Sequence, residues 1–284
     1  MTRRILITGA TGFVGQQVVR CLAERGILLR LVVRAGKKAI SALLASGCEI
    51  ITSEDLFEES SKWWAEQCQG VDTVVHLAWY VEPGEYLYSP KNMDCLVGSL
   101  NLARGAAQAS VKRLIGVGTC FEYDLSAGVL SIDTPLRPIT PYANAKAALY
   151  LGLDQWLQTY SVEFAWCRLF YLYGEGEDRR RLVPYLRSKL EKREPAELTC
   201  GNQVRDFLNV ADAARMIADV ALSDETGPVN VCSGVPMTVR QLAEQIADEY
   251  GRPDLLVFGA RQDNVIDPPC VVGVPNRRSE KLKS

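Results

Sequence analysis

The sequence predicts an α/β protein built on a doubly wound parallel sheet (Rossmann type) with a smaller C-terminal lobe. Three observations carry that prediction. Short apolar runs alternate with helical patterns through the first half of the 284-residue chain, the runs are nearly continuous rather than alternating, and a glycine-rich turn joins the first run to the first helix. Strands alternating with helices imply right-handed βαβ units. A strand covered on both faces has no reason to alternate polar with apolar residues.

In order, "RRILITGA" reads as the first strand and "GQQVVRCLAERG" as the first helix. "LLRLVVR" is the second strand, "KKAISALLASG" a helix, and "CEIIT" the third strand. "GVDTVVHLAW" supplies the fourth strand, "CLVGSLNLARGAAQAS" a long helix and "KRLIGVGT" the fifth strand. A proline then opens the helix-friendly run "PYANAK". Beyond about residue 165 the pattern is less regular: "RLFYLYG", a charged "EGEDRRR", a helix "LVPYLRSKLEKR" and a short strand-like "AELTCG". The expected division is residues 1–168 with 205–233 as a dinucleotide-binding domain, and 169–204 with 234–284 as a smaller substrate-binding lobe. The tail "PPCVVGVPNRRSEKLKS" is expected to make that lobe small or to mark a shortened chain.

Composition excludes several classes. A net charge of −2 without a basic stripe argues against nucleic acid. No apolar run approaches the roughly 20 residues of a membrane span, and the N-terminus lacks a signal-peptide pattern, so a cytoplasmic protein is expected. Nine scattered cysteines without a CxxC spacing do not make a disulfide framework. The one histidine, His76, lies in an apolar run, which leaves a zinc site or a Ser-His-Asp triad without material, and no metal is expected.

"ITGATGFVGQQ" places Gly9, Gly12 and Gly15 between a strand and an amphipathic helix. Glycine permits close backbone approach there, and the helix amides, with Thr11, Phe13 and Val14 in the turn, face a pyrophosphate. Dinucleotide binding is the reading. An acidic residue after the second strand holds the ribose of NAD, but none occurs between Arg25 and Cys48. Arg34 closes that strand, with Lys37 or Lys38 beside it, so NADP(H) is favoured over NAD(H). Asp55 and Leu56 follow the third strand, where a carboxylate suits the adenine amino group; a helix N-cap is the rival reading of Asp55.

Tyr142 and Lys146 stand one helical turn apart, so the ammonium is expected near the phenol, where it favours the ionised form. With the glycine turn, with Thr119 ending "RLIGVGT", and with "VVHLAW", "RLFYLYG", "QVRDFLNVADAAR" and "VNVCSG", the chain resembles the extended short-chain dehydrogenase/reductase family of nucleotide-sugar epimerases, dehydratases and reductases from residue 3 to about 234. The resemblance implies that Thr119 hydrogen-bonds a substrate oxygen, Tyr142 transfers its proton, and Lys146 binds the nicotinamide ribose while lowering the Tyr142 pKa. It also implies cofactor contacts from Leu77, Ala78 and Trp79, and substrate contacts from Tyr171 and Arg205. Arg205 would grip a nucleotide diphosphate, against the rival of an ion pair with Asp206. Its dehydratases carry an Asp-Glu pair after the threonine, where this chain has Cys120 and Phe121, and Cys120 is read as a packing residue. Asn209, Tyr171 and Cys95 also depart from the family pattern.

The expectation is therefore an NADPH-dependent reductase of a nucleotide-linked 4-keto-6-deoxy sugar, with a homodimer implied by family analogy. A nucleotide-sugar 4-epimerase and a non-catalytic dinucleotide-binding regulator are the alternatives. Arg34→Asp is expected to weaken NADPH binding roughly ten- to a hundred-fold relative to NADH, one charge-assisted contact's worth. Fluorescence titration of both cofactors checks this, and equal losses would remove Arg34 from the 2′-phosphate.

Overall fold

The computed structural model describes residues 3–36, 47–262 and 267–276. Lys37 and Lys38, expected beside the cofactor, lie outside them. Seven parallel strands form the main sheet in the order β11-β7-β5-β4-β1-β2-β3. They are β1 (Arg4–Thr8), β2 (Leu28–Arg34), β3 (Glu49–Ser53), β4 (Thr73–His76), β5 (Arg113–Thr119), β7 (Glu163–Leu169) and β11 (Gly227–Val231). The order reverses between β1 and β4, so the crevice beyond their carboxyl ends is the topological switch point where ligands of such sheets bind. β4 and β5 are buried at every position, as continuous apolar runs require.

Helices cover both faces. On one side α1 (Phe13–Glu24) and α6 (Val210–Leu222) bury Val18, Leu22, Ile217 and Ala221 against Ile5, Ile7 and Leu31. On the other, α2 (Ser61–Gln67), α3 (Lys91–Gln108) and α4 (Pro141–Gln158) bury Trp64, Leu102, Leu149 and Leu153 against Leu6, Val74 and Leu114. α3 approaches α2 through glycine: a Cβ at Gly105 would overlap Trp64 and lie 2.6 Å from the Ser61 carbonyl oxygen.

The second lobe is built on a five-stranded sheet of β6 (Val129–Leu130), β8 (Tyr171–Tyr173), β10 (Val204–Asn209), β12 (Pro236–Thr238) and β14 (Cys270–Gly273). α5 (Leu182–Glu191) and α7 (Val239–Glu249) share a separate core of Leu186, Leu190, Leu242 and Ile246, beside the strand pair β9 (Ala196–Glu197) and β13 (Leu256–Val257). Two details depart from the expected division. β10, assigned with the dinucleotide-binding domain, pairs with β8, β12 and β14 rather than with the main sheet. β6 comes from residues 1–168 and yet pairs with β14. The buried Asp206 accounts for the placement of β10: its carboxylate accepts the amides of Ser233, Gly234 and Gly273 and the Ser233 hydroxyl, tying the strand to lobe backbone. The tail strand β14 is an integral member of this sheet.

Among the described residues no helix is long and apolar enough to cross a membrane. Gly105→Ala should destabilise the fold by about 1–3 kcal/mol, the cost of overpacking against atoms that cannot yield. Urea denaturation measures it; an unchanged midpoint would mean that the α2–α3 approach relaxes freely.

Candidate functional site

The carboxyl edge of the sheet gathers the predicted residues. Gly9, leaving β1, has φ +71°, and a Cβ there would stand 2.7 Å from the Ala78 amide nitrogen. A Cβ at Gly15 would overlap the Gly9 carbonyl oxygen. Gly12 is the N-cap of α1 and supplies no capping side chain, and the first turn holds no acidic residue. The opening amides after Thr11, those of Phe13, Val14 and Gly15, thus have neither a side-chain cap nor a carboxylate beside them. This cradle fits a dinucleotide pyrophosphate: it is glycine where the chain closes on itself and positive where phosphate would lie.

Arg34 ends β2 and is exposed. Arg30, the other cation of that strand, is instead paired with Glu49 at 2.9 Å and donates to the Gln67 and Gln69 carbonyls. Asp55 accepts the Phe57 amide at 2.9 Å, closing a local turn. The helix cap belongs to Ser60, which corrects the rival N-cap reading of Asp55. Leu56 packs into the apolar core beneath it and Leu77 into the core on the opposite face. Ala78 donates its amide to Thr8 Oγ1 at 3.3 Å.

Thr119 closes β5, and Tyr142 and Lys146 descend from the first two turns of α4. That helix starts where it does because Thr140 Oγ1 accepts the Ala143 amide and Pro141 occupies its first turn. The Tyr142 amide donates to the Leu87 carbonyl at 3.1 Å. Thr119, Tyr142 and Lys146 are 6%, 8% and 3% exposed, with Thr119 beside the Tyr142 phenol. Lys146 Nζ donates to the Val117 carbonyl at 2.6 Å and lies 3.8 Å from the Trp79 ring centroid. Trp79 also meets the Tyr142 ring edge to face, so one indole touches both side chains.

The electrostatics differ from the expected picture. Burial, with Tyr86 and Glu122 adding to it, holds the Tyr142 phenol well above its usual pKa, and Thr119 opposes them. Lowering by Lys146, as the four-residue spacing suggested, is not what this arrangement produces. Burial also pulls Lys146 down to about 7, opposed by Glu122 and Cys95. Both groups are driven toward neutrality because the site is dry.

The groups that surround this centre carry no motif in the sequence. Tyr86 meets the Tyr142 ring edge to face at 4.9 Å, with Arg181 near enough to oppose the rise that burial causes in its pKa. Arg180 bridges Asp178 to Glu82 at 2.6 Å, joining the loop after β8 to the loop after β4. Glu122, fully buried, accepts the Thr119 amide at 2.8 Å and pairs with Arg168 Nε at 2.7 Å. The one local hint is a carboxylate three residues beyond Thr119, the spacing of a capping box.

Toward the second lobe, Arg205 is buried and paired with Asp267 at 2.7 Å. Asp206, the rival partner, is occupied by lobe amides. The guanidinium lies 5.2 Å from the Tyr171 ring centroid. The Tyr171 hydroxyl and Gln203 Oε1 are buried without a hydrogen-bond partner. Asn209 caps α6 through the Ala211 amide. Cys120 is buried among Tyr123, Leu130 and Phe170, its thiol pushed far up by burial, in keeping with packing.

His76 is a satisfied core residue. Ser99 donates to the Cys95 carbonyl, so it accepts from His76 Nε2 at 2.8 Å, and Nδ1 then accepts from the Thr8 hydroxyl at 2.7 Å. Burial first, and Lys146 second, depress its pKa to about 3. Among the described residues no group of three or more His, Cys, Asp or Glu is arranged to hold a metal ion.

The family model described as "NAD dependent epimerase/dehydratase family" matches residues 5–232. The chain is 27% identical over 262 residues to dTDP-6-deoxy-L-talose 4-dehydrogenase (NAD(+)) of Aggregatibacter actinomycetemcomitans, covering 90% of this chain and 95% of that one. It is 25% identical over 292 residues to dTDP-4-dehydro-6-deoxy-D-allose reductase of a Streptomyces species, covering 97% and 87%. Among solved structures, UDP-glucose 4-epimerase of Thermotoga maritima with UDP-glucose superposes with a TM-score of 0.83 at 20% identity, covering 96% and 90%. That last likeness speaks to the fold.

The depressed His76 pKa has a sign that can be checked. The unfolded state takes up a proton near pH 6.5 while the native imidazole stays neutral to about pH 3. Stability present above pH 6.5 is therefore lost on acidification between those values, at about 1.4 kcal/mol per pH unit from this group. Urea titrations from pH 7 to 5 should show the slope flatten in His76→Asn; an identical slope would mean that His76 titrates normally.

Proposed function

The chain belongs to the NAD dependent epimerase/dehydratase family, and from that premise we propose that it is an NADPH-dependent reductase of a nucleotide-linked 4-keto-6-deoxy sugar. The observation that carries this reading is the burial of Thr119, Tyr142 and Lys146 together at the carboxyl edge of the sheet, on the same edge as the glycine cradle. The cradle amides would hold the pyrophosphate, Arg34 the 2′-phosphate and Lys146 Nζ the ribose. When bound, the nicotinamide supplies the hydride. Thr119 and Tyr142 hold the ketone oxygen, and the Tyr142 proton passes to the alkoxide as it forms.

Burial keeps the Tyr142 phenol protonated. A neutral phenol is the right form to donate to an alkoxide, which is the stronger base. A 4-epimerase needs the same tyrosine to accept a proton first, so the burial favours reduction. The substrate side supports a nucleotide sugar: Arg205 offers a planar guanidinium to a diphosphate in exchange for Asp267, and the lone Tyr171 hydroxyl and Gln203 carbonyl await polar partners. A cytoplasmic homodimer belongs to the same proposal. Met93 and Val97 of α3 and Leu151 of α4 are each more than half exposed, and they give the two helices an apolar outer face.

Nicotinamide absorbance with purified nucleotide 4-keto-6-deoxy sugars tests the reading. Stoichiometric loss of NADPH is expected; sugar isomerisation without cofactor loss would establish the epimerase instead. Tyr142→Phe should lower turnover at least about a hundredfold while leaving NADPH affinity largely intact. Full turnover in that variant would sink the assignment.

A further inference from the structure

Beneath the reaction centre lies a buried polar assembly that no step above uses. Glu122 Oε1 accepts the Thr119 amide, and both carboxylate oxygens accept the Trp166 indole N–H, at 3.1 and 3.0 Å. Arg168 closes the other side through Nε, and its Nη1 donates to the Tyr123 hydroxyl at 3.0 Å. Tyr123 donates to Asn230 Oδ1 at 2.7 Å, and Asn230 Nδ2 donates to the carbonyls of Leu130 and Val274 in the second lobe. The strand beneath is shaped for the assembly. A Cβ at Gly116 would overlap the Trp166 ring, and one at Gly118 would overlap both Glu122 Oε1 and Trp166 Nε1. Lys146 Nζ stands over the same indole, 5.9 Å from its centroid.

A buried carboxylate is costly, and packing alone would be served by an apolar side chain. We propose that Glu122 is a positioning residue for the reaction centre: its carboxylate fixes the Thr119 backbone and supplies, across Trp166, the negative charge that keeps Lys146 an ammonium. This rests on the reading of Thr119, Tyr142 and Lys146 as that centre. The groups facing the ammonium are Glu122, Cys95 of α3, His76 of β4 and the Trp79 ring. Those facing the carboxylate are Arg168 of β7, Tyr123 and Cys120 beside it, and Tyr142 and Tyr150 of α4. His76 is neutral and Cys95 remains a thiol at neutral pH, so Glu122 is the one formal anion in the first set.

The test is the titration of Lys146 itself, read from its 13Cε NMR resonance, which is assigned by its disappearance in Lys146→Met. In the wild type it should titrate at about 7. In Glu122→Gln, which keeps an acceptor for the Thr119 amide and removes the charge, it should fall by about one pH unit, the size of one charge's effect at this range in a protein interior. Glu122→Asp keeps the charge and shortens the reach to Thr119. It should leave the titration in place and lower kcat about ten- to a hundred-fold with KM little changed. Should Glu122→Gln not fold, Glu122→Gln/Arg168→Met removes both buried charges together, and the Lys146 titration must still move down.

A titration unmoved in the charge-removing variants would overturn the proposal whether or not a substrate is in hand, as would full activity in Glu122→Asp. A shifted titration in a protein that reduces no sugar would leave Glu122 in place and remove the reductase reading.

Discussion

The buried ion pair of Glu122 with Arg168 is the interaction on which the arrangement of this protein turns. Neither side chain has measurable access to water beyond 1%. In such surroundings the loss of one partner leaves an uncompensated charge and costs about 3–5 kcal/mol. The pair therefore dictates what stands around it. β5 is glycine at Gly116 and Gly118, because Trp166 and the carboxylate occupy the space where side chains would project. The turn after β5 closes on itself through the Thr119 amide. Tyr123 and Asn230 carry the network onward to Leu130 and Val274, so the corner that presents Thr119 is continuous with the backbone of the second lobe.

Above that pair the site is dry, and dryness acts on its two titratable groups in a common way. Tyr142 is pushed up and Lys146 down, each toward its neutral form. Glu122 separates them: its charge opposes the effect of burial on the ammonium and reinforces it on the phenol. The result is an acid held in its protonated form beside a cation whose charge depends on a neighbour. Trp79, touching both Lys146 and Tyr142, helps to exclude water from the same volume. In a low-dielectric enclosure each of these charges acts more strongly than it would at the surface.

Much of the framework was legible in the chain. Strand and helix periods, the glycine turn, the threonine closing a buried strand and the Tyr142–Lys146 spacing are all local patterns, and each is found at the carboxyl edge of one parallel sheet. Arg205 was legible as a residue type but its partner was not. The nearby Asp206 looked like the natural mate; the fold spends that carboxylate on backbone amides and brings Asp267 to the guanidinium instead. Likewise the "QVRDFLNV" strand reads as part of the first domain because the helix after it returns there, while its own hydrogen bonds go to the second sheet.

By itself the sequence determined the doubly wound class, the cradle for a pyrophosphate and the face on which a phenol and an amine descend from one helix. These follow from side-chain period, from glycine's conformational freedom and from a capping threonine with its proline, all of which act within a few residues. Only the tertiary structure decided the charge states. Glu122 meets Arg168 across 46 positions of sequence, and the burial that shifts Tyr142 and Lys146 comes from strands and loops distant in the chain. Electrostatic energies depend on distance and dielectric in space, and no local pattern carries either.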